Sequence, residues 1–562
     1  MTSKRVRVVK SPALSPVWCA AWALMSLAGA VQAQGLVPPT TGEVLRSVTP
    51  PLAPVPRAAD ADAVQRTPAP AMAPSNSAVR IQVRGVSVTG ATLFTQEMLT
   101  ALVSDLMGKS VTLADLQAAA QRITDQYQDA GYPVARAVLP AQDIVDGVVE
   151  FTVLEGRVGK VDIDNRSLIQ DGQVQRLLGD IPAGSVVHEP TLERQLLLLG
   201  ETPGASRAIV TLQPGAATGE TDLGIQVEPG PRVSGQIDAD NHGNRYTGYH
   251  RISSLVSLNS PLGLGDRFQV RSLVSDRKLG SVRLDYRIPV GSSGLAVGAA
   301  WSDVHYDLAR EFAFLDATGW SHVKTVYASY PVLRSVDSNL LATLSYDDKT
   351  FKDDIGAVAG STTRKNSEVT SLSISAYGTR GPVLYALATV ASYGRLHLDG
   401  SGDAAGTRGS FGKVVGTGNA LWGFAPNWGL YGSLYGQWAS KNLDPSEQLT
   451  LGGASGVRAY PQGESSGDEG YIASAELRYT IPLRPVQLAA FIDYGGIRFQ
   501  HRTTEPGRNN RYLQGAGVSA TWAPRPDVGL KLMVATRLGD DEVQSEPFDS
   551  HTQVWLQGLW RF

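Results

Sequence analysis

The chain predicts a β-rich membrane protein: a C-terminal transmembrane antiparallel β-barrel of about 16 strands, preceded by two small α/β domains. Three observations carry that expectation. From residue 231 to the end, no amphipathic helix pattern of any length occurs. Instead, segments of about ten residues alternate apolar and polar side chains between turns rich in Gly, Asp, Asn and Pro. Beyond the N-terminal apolar segment, every tryptophan lies in this region, at positions 301, 320, 422, 428, 438, 522, 555 and 560, as interfacial girdles require. The chain also stops on a strand, with Val554, Leu556, Trp560 and Phe562 on one face. At about 20 residues per strand with its share of loop, residues 231–562 allow roughly 16 strands. Closure follows because lipid cannot satisfy an open sheet edge.

The alternation assigns faces. Val282, Leu284, Tyr286 and Ile288 alternate with Arg283, Asp285 and Arg287. Leu530, Leu532, Val534 and Leu538 alternate with Lys531, Ala535 and Arg537, and Tyr471, Ala473, Ala475, Leu477 and Tyr479 with Ser474, Glu476 and Arg478. In a barrel the charged face lines a watery lumen and the apolar face meets lipid. A soluble sandwich would reverse that logic, and periodicity alone does not separate the two. The tryptophans, the terminal strand and the length favour the membrane.

The N-terminus sets the compartment. Lys4, Arg5, Arg7 and Lys10 precede an apolar run over 17–30, and Val31-Gln32-Ala33 is a small-residue cleavage signal. Residues 1–33 therefore read as a secretory signal peptide. The single cysteine, Cys19, lies within it and has no lipobox, so the mature chain holds no disulfide or thiolate metal site. No later run of about 18 apolar residues could span a membrane as a helix. A net charge of −3 and the lack of a basic tract give no case for nucleic acid.

Residues 34–78 form a proline-rich leader. Prolines 38, 39, 50, 51, 54, 56, 68, 70 and 74 forbid continuous helix or sheet, except over 41–48, which could make two helical turns. Residues 79–156 form the first α/β domain. A strand is expected over 80–88. Thr112 and Asp115 form a capping box for a helix with Leu113, Leu116, Ala120, Ile123 and Tyr127 on one face. Strands follow near 135–139 and 148–154, closing at Glu155-Gly156. Residues 157–230 repeat the order more loosely. Leu192, Leu196 and Leu199 mark the main helix, and Ala208, Val210 and Leu212, then Leu223, Ile225 and Val227, mark two strands.

The most informative stretch is 451–479, LGGASGVRAYPQGESSGDEGYIASAELRY. Its Val457-Arg458-Ala459-Tyr460 resembles the loop-six motif (V/I)-R-G-(F/Y) of the outer-membrane superfamily that includes BamA and the two-partner secretion transporters. Ala459 stands where glycine is usual. The longer form VRAYPQGE followed by GDEG resembles transporters of the hemolysin secretion/activation type (the TpsB class), and DAGYPVARAVLPAQ with GVVEFTVLEG resembles a POTRA domain of that type. The resemblance implies two periplasmic POTRA domains, a 16-stranded barrel and a loop six, near 445–470, that folds back into the lumen. It implies that Arg458 meets Asp493 in the pattern Phe491-Ile492-Asp493-Tyr494-Gly495, since a guanidinium in a channel is fixed by a planar bidentate carboxylate. Leu488, Ala490 and Ile492 would then face lipid. It also implies that the helix over 41–48 occupies the pore. DADNHG (238–243) and SPLGLGD (260–266) resemble the family's first strand and turn, in structural roles.

The implied activity is export of an unfolded exoprotein without ATP. The POTRA domains would recognise the client and the barrel would pass it to the surface or medium of a Gram-negative bacterium. A BamA-like assembly factor is the alternative. The implied partners are a TpsA-type hemolysin, adhesin, toxin or heme-acquisition protein, outer-membrane lipid, and the barrel-assembly machinery during biogenesis. No cofactor is implied. An enzyme is not expected: the histidines at 188, 242, 250, 305, 322, 397, 501 and 551 form no HExxH, and no GxSxG precedes a helix.

Overall fold

The structure, a computed structural model, describes residues 38–49, 64–66, 80–179, 181–358, 360–400, 402–504 and 506–562. The expected signal peptide lies outside these residues, as does most of the leader.

Helix α1 (Thr41–Val48) forms because Thr40 and Glu43 close a capping box: the Thr40 hydroxyl accepts from the Glu43 N–H, and the Glu43 carboxylate accepts from the Thr40 N–H at 2.8 Å. The next described segment, β1 (Val64–Arg66), pairs in parallel with a strand of the second α/β unit.

The first α/β unit builds its main sheet from β3 (Gly85–Thr89), β5 (Arg136–Val138) and β6 (Val148–Leu154), in the order β3-β6-β5. The expected single strand over 80–88 is two strands. β2 (Arg80–Gln82) pairs with β4 (Ser110–Thr112), and the chain then turns at Val83 and Arg84 so that β3 can join β6. The turn is fixed by the Gly147 carbonyl, which accepts from the N–H groups of Arg84 and Gly85. Helix α2 (Gln96–Ala101) and helix α3 (Leu113–Asp129) cover the sheet. The Thr112–Asp115 capping box opens α3, and Leu116, Ala120, Ile123 and Tyr127 bury their face against Val149, Phe151 and Val153.

The second unit orders its strands β1-β8-β9-β7, from β7 (Arg157–Asn165), β8 (Ala205–Pro214) and β9 (Glu220–Pro229). Helices α4 (Asp171–Leu178) and α5 (Glu189–Gly200) pack on it through Val174, Leu178, Leu192, Leu196 and Leu199. This unit docks under the barrel through polar contacts with its turns. Arg334 pairs with Glu201 at 2.5 Å, Arg194 Nη2 donates to the Pro331 carbonyl at 2.6 Å, and the Val336 N–H donates to Glu193 at 2.9 Å.

The barrel is closed and has 16 antiparallel strands, from β10 (Val233–Asp240) to β27 (Thr552–Arg561), which pair with each other to complete it. Its outer face is the apolar face of each strand: Ile492 is 53 % exposed and Leu556 52 %. Two details differ from the alternation read in the sequence. First, β15 (Ala317–Arg334), β16 (Ser338–Ile355) and β17 (Thr362–Arg380) have 18, 18 and 19 residues, not about ten. Toward their extracellular ends the outward positions turn polar at Lys324, Asp348 and Glu368, which stand opposite one another in register, so these strands rise past the apolar band. Second, Trp555 faces inward and is buried. No helix among the described residues is long and apolar enough to cross a membrane. The crossing is made by strands.

Candidate functional site: the stoppered lumen

Between β20 (Trp428–Ala439) and β23 (Glu469–Thr480), the eleventh and twelfth barrel strands, residues 440–468 turn back into the lumen. A short hairpin, β21 (Leu449–Thr450) with β22 (Ser466–Gly467), gives the loop its own backbone pairing. Its tip carries the four residues singled out by the sequence.

Arg458 is saturated with acceptors. Its Nε and Nη2 donate to the two oxygens of Asp493 at 2.8 and 2.6 Å, a bidentate fork. Nη1 donates to Glu476 at 2.5 Å and Nη2 also to the Ser474 hydroxyl at 2.7 Å. The guanidinium stacks 3.4 Å over the Phe491 ring. Its backbone is held too, because the Arg458 N–H donates to Asp493 and the Trp555 indole donates to the Arg458 carbonyl. Arg458 is 6 % exposed and Asp493 0 %. Glu476 also accepts from Arg478 at 2.6 Å, so two cations meet two carboxylates and no net charge is buried. Asp493 lies on β24 (Val486–Arg498), the thirteenth barrel strand. Leu488 and Ile492 point outward, while Phe491 and Asp493 point inward.

The rest of the motif is explained by close approach. Val457, Ala459 and Tyr460 are fully buried and pack with Leu451, Phe491 and Leu513. A Cβ on Gly495 would sit 2.5 Å from Leu451 Cδ1 and 3.2 Å from Val457 Cγ2, so only glycine lets the loop lie on the wall there. Ala459, in the place usual for glycine, is accommodated because the facing wall residue is Gly515, whose added Cβ would fall 2.4 Å from that of Ala459. The Tyr460 hydroxyl donates to the Asp541 carbonyl at 3.2 Å.

The sequence reading missed a second anchorage on the other side of the lumen. Lys349 and Lys413 hold Glu447 at 2.7 and 2.5 Å, and Lys365 holds Asp444 at 2.7 Å. Glu464, fully buried, takes Arg511 and the N–H groups of Gln544 and Ser545. Asp468, also fully buried, takes the N–H groups of Leu443 and His501. A signal for these existed: acidic residues in a Gly-rich loop, and lysines at inward positions of alternating strands. Their pairing is not encoded at any fixed spacing.

Helix α1 lies in the lumen beside the loop. The Thr41 N–H donates to Asp353 on β16 at 2.8 Å, and the Tyr306 hydroxyl of β14 (Leu295–Asp307) shares that carboxylate. Arg46 donates to the Gln448 carbonyl and to the Ser466 hydroxyl of the loop. A Cβ on Gly42 would lie 2.6 Å from Ser446 N, so the helix rests directly on the loop backbone. The helix therefore touches both the wall and the loop. The two further motifs serve the barrel itself. Asp240 accepts from Arg251 at 2.9 Å, Asn241 bridges to the last strand, and Asp266 accepts from the N–H groups of Leu262 and Leu264 and from the Tyr286 hydroxyl. Among the described residues, no group of three or more His, Cys, Asp or Glu side chains is placed to share a metal ion.

The comparisons agree with this architecture. The family model described as "Haemolysin secretion/activation protein ShlB/FhaC/HecB" matches residues 219–522, and that of the ShlB-type POTRA domain matches residues 81–156. The chain is 26 % identical over 484 residues to the heme/hemopexin transporter protein HuxB of Haemophilus influenzae (strain 86-028NP), covering 82 % of this chain and 83 % of that protein. It is 25 % identical over 464 residues to the outer membrane transporter CdiB of Dickeya dadantii (strain 3937), covering 79 % and 80 %. The fold is similar to the solved structure of CdiB from Escherichia coli, with a TM-score of 0.69 at 21 % identity over 88 % of this chain and 93 % of that one. BamA from Haemophilus ducreyi is a more distant fold neighbour, with a TM-score of 0.53 at 14 % identity. With a stoppered 16-stranded barrel, a POTRA domain and a family match over more than half its length, the chain belongs to the haemolysin secretion/activation protein family of outer-membrane transporters.

Proposed function

We propose that this chain exports one dedicated exoprotein, unfolded, through its barrel in two-partner secretion. The observation that carries this reading is that two separate pieces of the chain itself, α1 and the loop of residues 440–468, lie inside the lumen and bind its wall and each other. A passage blocked by removable parts is suited to a polymer that must pass and then be sealed behind. The POTRA domains, in the periplasm, supply recognition. The β8 edge of the second unit already accepts an extended segment, β1, through its main chain, which is the contact an unfolded client would make. No ATP-binding loop is present in the sequence. Folding of the client outside draws it through. The chain is not an enzyme in this reading, and it needs no cofactor.

The client is a TpsA-type exoprotein: a hemolysin, adhesin, toxin or heme-acquisition protein. The named relatives include a heme/hemopexin transporter and outer membrane transporters called CdiB, so a heme-acquisition client comes first.

The test is quantitative proteomics of medium, cell surface and outer membrane with the protein deleted, restored, or restored as Arg458→Ala. Loss of one large exoprotein, with other barrel proteins unchanged, is expected in the deletion and in Arg458→Ala. A broad fall in many barrel proteins would instead make this an assembly factor.

A further inference from the structure

The inner wall handles its cations in two ways. Around the stopper most have a carboxylate. Arg251 meets Asp240, Lys349 and Lys413 meet Glu447, Lys365 meets Asp444, and Arg511 meets Glu464. Along β12 (Arg267–Ser275) and β13 (Gly280–Val290), starting from their periplasmic ends, the pattern fails. Arg267 stands directly opposite Arg287, and Arg271 directly opposite Arg283, with Gln269 opposite Asp285 between them. The outward neighbours Phe268 and Leu284 are exposed on the lipid side, while Asp285 is buried, so the arginines share the lumen face. Like charges directly opposite each other in a sheet are destabilising, and here two such pairs are stacked about 13 Å apart along the strands.

Their partners are few. Arg283 reaches Asp285 at 3.6 Å and the Ser302 hydroxyl at 3.1 Å, and Asp285 is itself held by the Tyr327 hydroxyl at 2.9 Å. Arg267 has a buried Nε with no hydrogen-bond partner among the described residues. Arg287 lies in the fields of Arg267, Asp285 and Glu201, and Arg271 in those of Asp238 and Arg283. None of Arg267, Arg271 and Arg287 makes a side-chain ion pair among the described residues. Arg287 also lines the cleft where the second α/β unit meets the barrel, beside Leu177, Leu198 and Pro331. The quartet therefore begins at the periplasmic entrance and climbs toward the stopper.

We infer that Arg267, Arg271, Arg283 and Arg287 form an entry track that takes the carboxylates of an extended acidic segment of the client as it enters the pore. The molecule contains its own precedent. The acidic turn Asp444-Pro445-Ser446-Glu447 of the loop covers the lysine group higher on the wall with the same chemistry. The arginines are an equivalent surface whose cover has to come from elsewhere. Guanidinium groups suit the task because they stay charged and take carboxylates in a planar fork. A lumen lined by one sign of charge also concentrates the opposite charge. The proposal rests on the export reading for the identity of the polymer, but not for its measurement.

The experiment uses the purified full chain in planar lipid bilayers. Poly-glutamate and poly-lysine peptides of equal length are added to the periplasmic side while the channel current is recorded. Poly-glutamate is expected to block at a concentration at least about tenfold lower than poly-lysine, with the block weakening as salt rises. Arg267→Gln with Arg287→Gln should remove that preference and shift ion selectivity toward cations, while Arg267→Lys with Arg287→Lys should retain most of it. Resistance of the barrel to unfolding by detergent at room temperature verifies that each variant is folded. Equal block by the two peptides, or a preference unchanged in the glutamine variant, overturns the track. An anionic lipid that abolishes the preference when added to the bilayer would make the site a headgroup site and also overturns it. No client is present in this assay. A track confirmed here in a protein on which no exoprotein depends in cells would sink the export reading alone. A dependent exoprotein with no peptide preference would sink the track alone.

Discussion

The two α/β units and the barrel lumen are both densely filled, but by opposite means. In the first unit the interior is Leu99, Leu116, Ile123, Tyr127, Phe151 and their apolar neighbours. In the lumen apolar clusters such as Leu451, Val457 and Tyr460 are joined by a dense set of buried charges: Arg458, Asp493, Glu476, Glu464, Arg511 and the lysine–carboxylate pairs. Apolar burial is non-directional, so such a core holds its domain together under any rearrangement that keeps the area covered. A buried ion pair is directional and adds little net stability over an apolar substitute, yet losing one partner is costly. The difference teaches what each region is for. In the export reading proposed above, the α/β units have to persist, whereas the lumen has to hold its loop in one register and still be able to open.

The largest effect should come from breaking the lumen at its most buried charge. Arg458→Ala leaves Asp493 without its cation and Glu476 with Arg478 alone, at a cost of about 3–5 kcal/mol to the docked loop. Limited proteolysis from the outer surface should then cut within residues 440–468, where the parent chain resists. Charge reversal at both positions, Arg458→Asp with Asp493→Arg, should recover part of the protection that either single reversal destroys; no recovery at all would count against the pairing.

An apolar counterpart should act elsewhere. Leu116→Ala opens a cavity in the first α/β unit at about 2–5 kcal/mol. The barrel should keep its resistance to detergent unfolding while the periplasmic part becomes protease-sensitive. A barrel that failed together with the domain would show the two regions to be one cooperative unit, which the separate cores argue against.

A smaller effect should come from steric fit at the loop. Gly515→Ala drives a methyl into Ala459 and should loosen the loop by about 1–3 kcal/mol. Ala459→Gly should rescue it, since the pair together restores the lost volume. Failure of that rescue in the same proteolysis assay would place the clash elsewhere.

The smallest effect tests the polar exception inside the apolar unit. Burial of Glu155 pushes its carboxyl up, but hydrogen bonds from the Thr92 hydroxyl and from the N–H groups of Thr92 and Leu93 outweigh it and hold the group below the usual 4.5. A carboxyl depressed in the folded state binds its proton more readily once unfolded. Its contribution to stability is therefore complete above about pH 5 and is lost as pH falls through the folded value. Thermal melting of the periplasmic part should fall more steeply below pH 4.5 than it does in Glu155→Gln, whose melting should be lower at neutral pH. Parallel pH curves for the two proteins would remove this role from Glu155.

Much of this organisation was legible in the residues alone. Two-residue periodicity set which side of each barrel strand faces lipid, because side chains on a strand alternate without exception unless a bulge intervenes. The capping box at Thr112 and Asp115 and the face of α3 were readable because helix periodicity and capping act within a few residues. Arg458 and Asp493 could be paired only through a resemblance. Nothing local in either segment reports that a loop and a wall strand 35 residues apart come together.

What the sequence determined by itself is therefore local and periodic: elements, faces, and the closed barrel that the lipid demands. The tertiary structure alone decided the encounters across the lumen. It brought Glu447 to Lys349 and Lys413, set α1 on the loop through Gly42, matched Ala459 to Gly515, and left two arginine pairs facing each other. The reason is geometric. Closing a sheet into a barrel makes neighbours of side chains on distant strands, at distances fixed by register and curvature and not by separation along the chain.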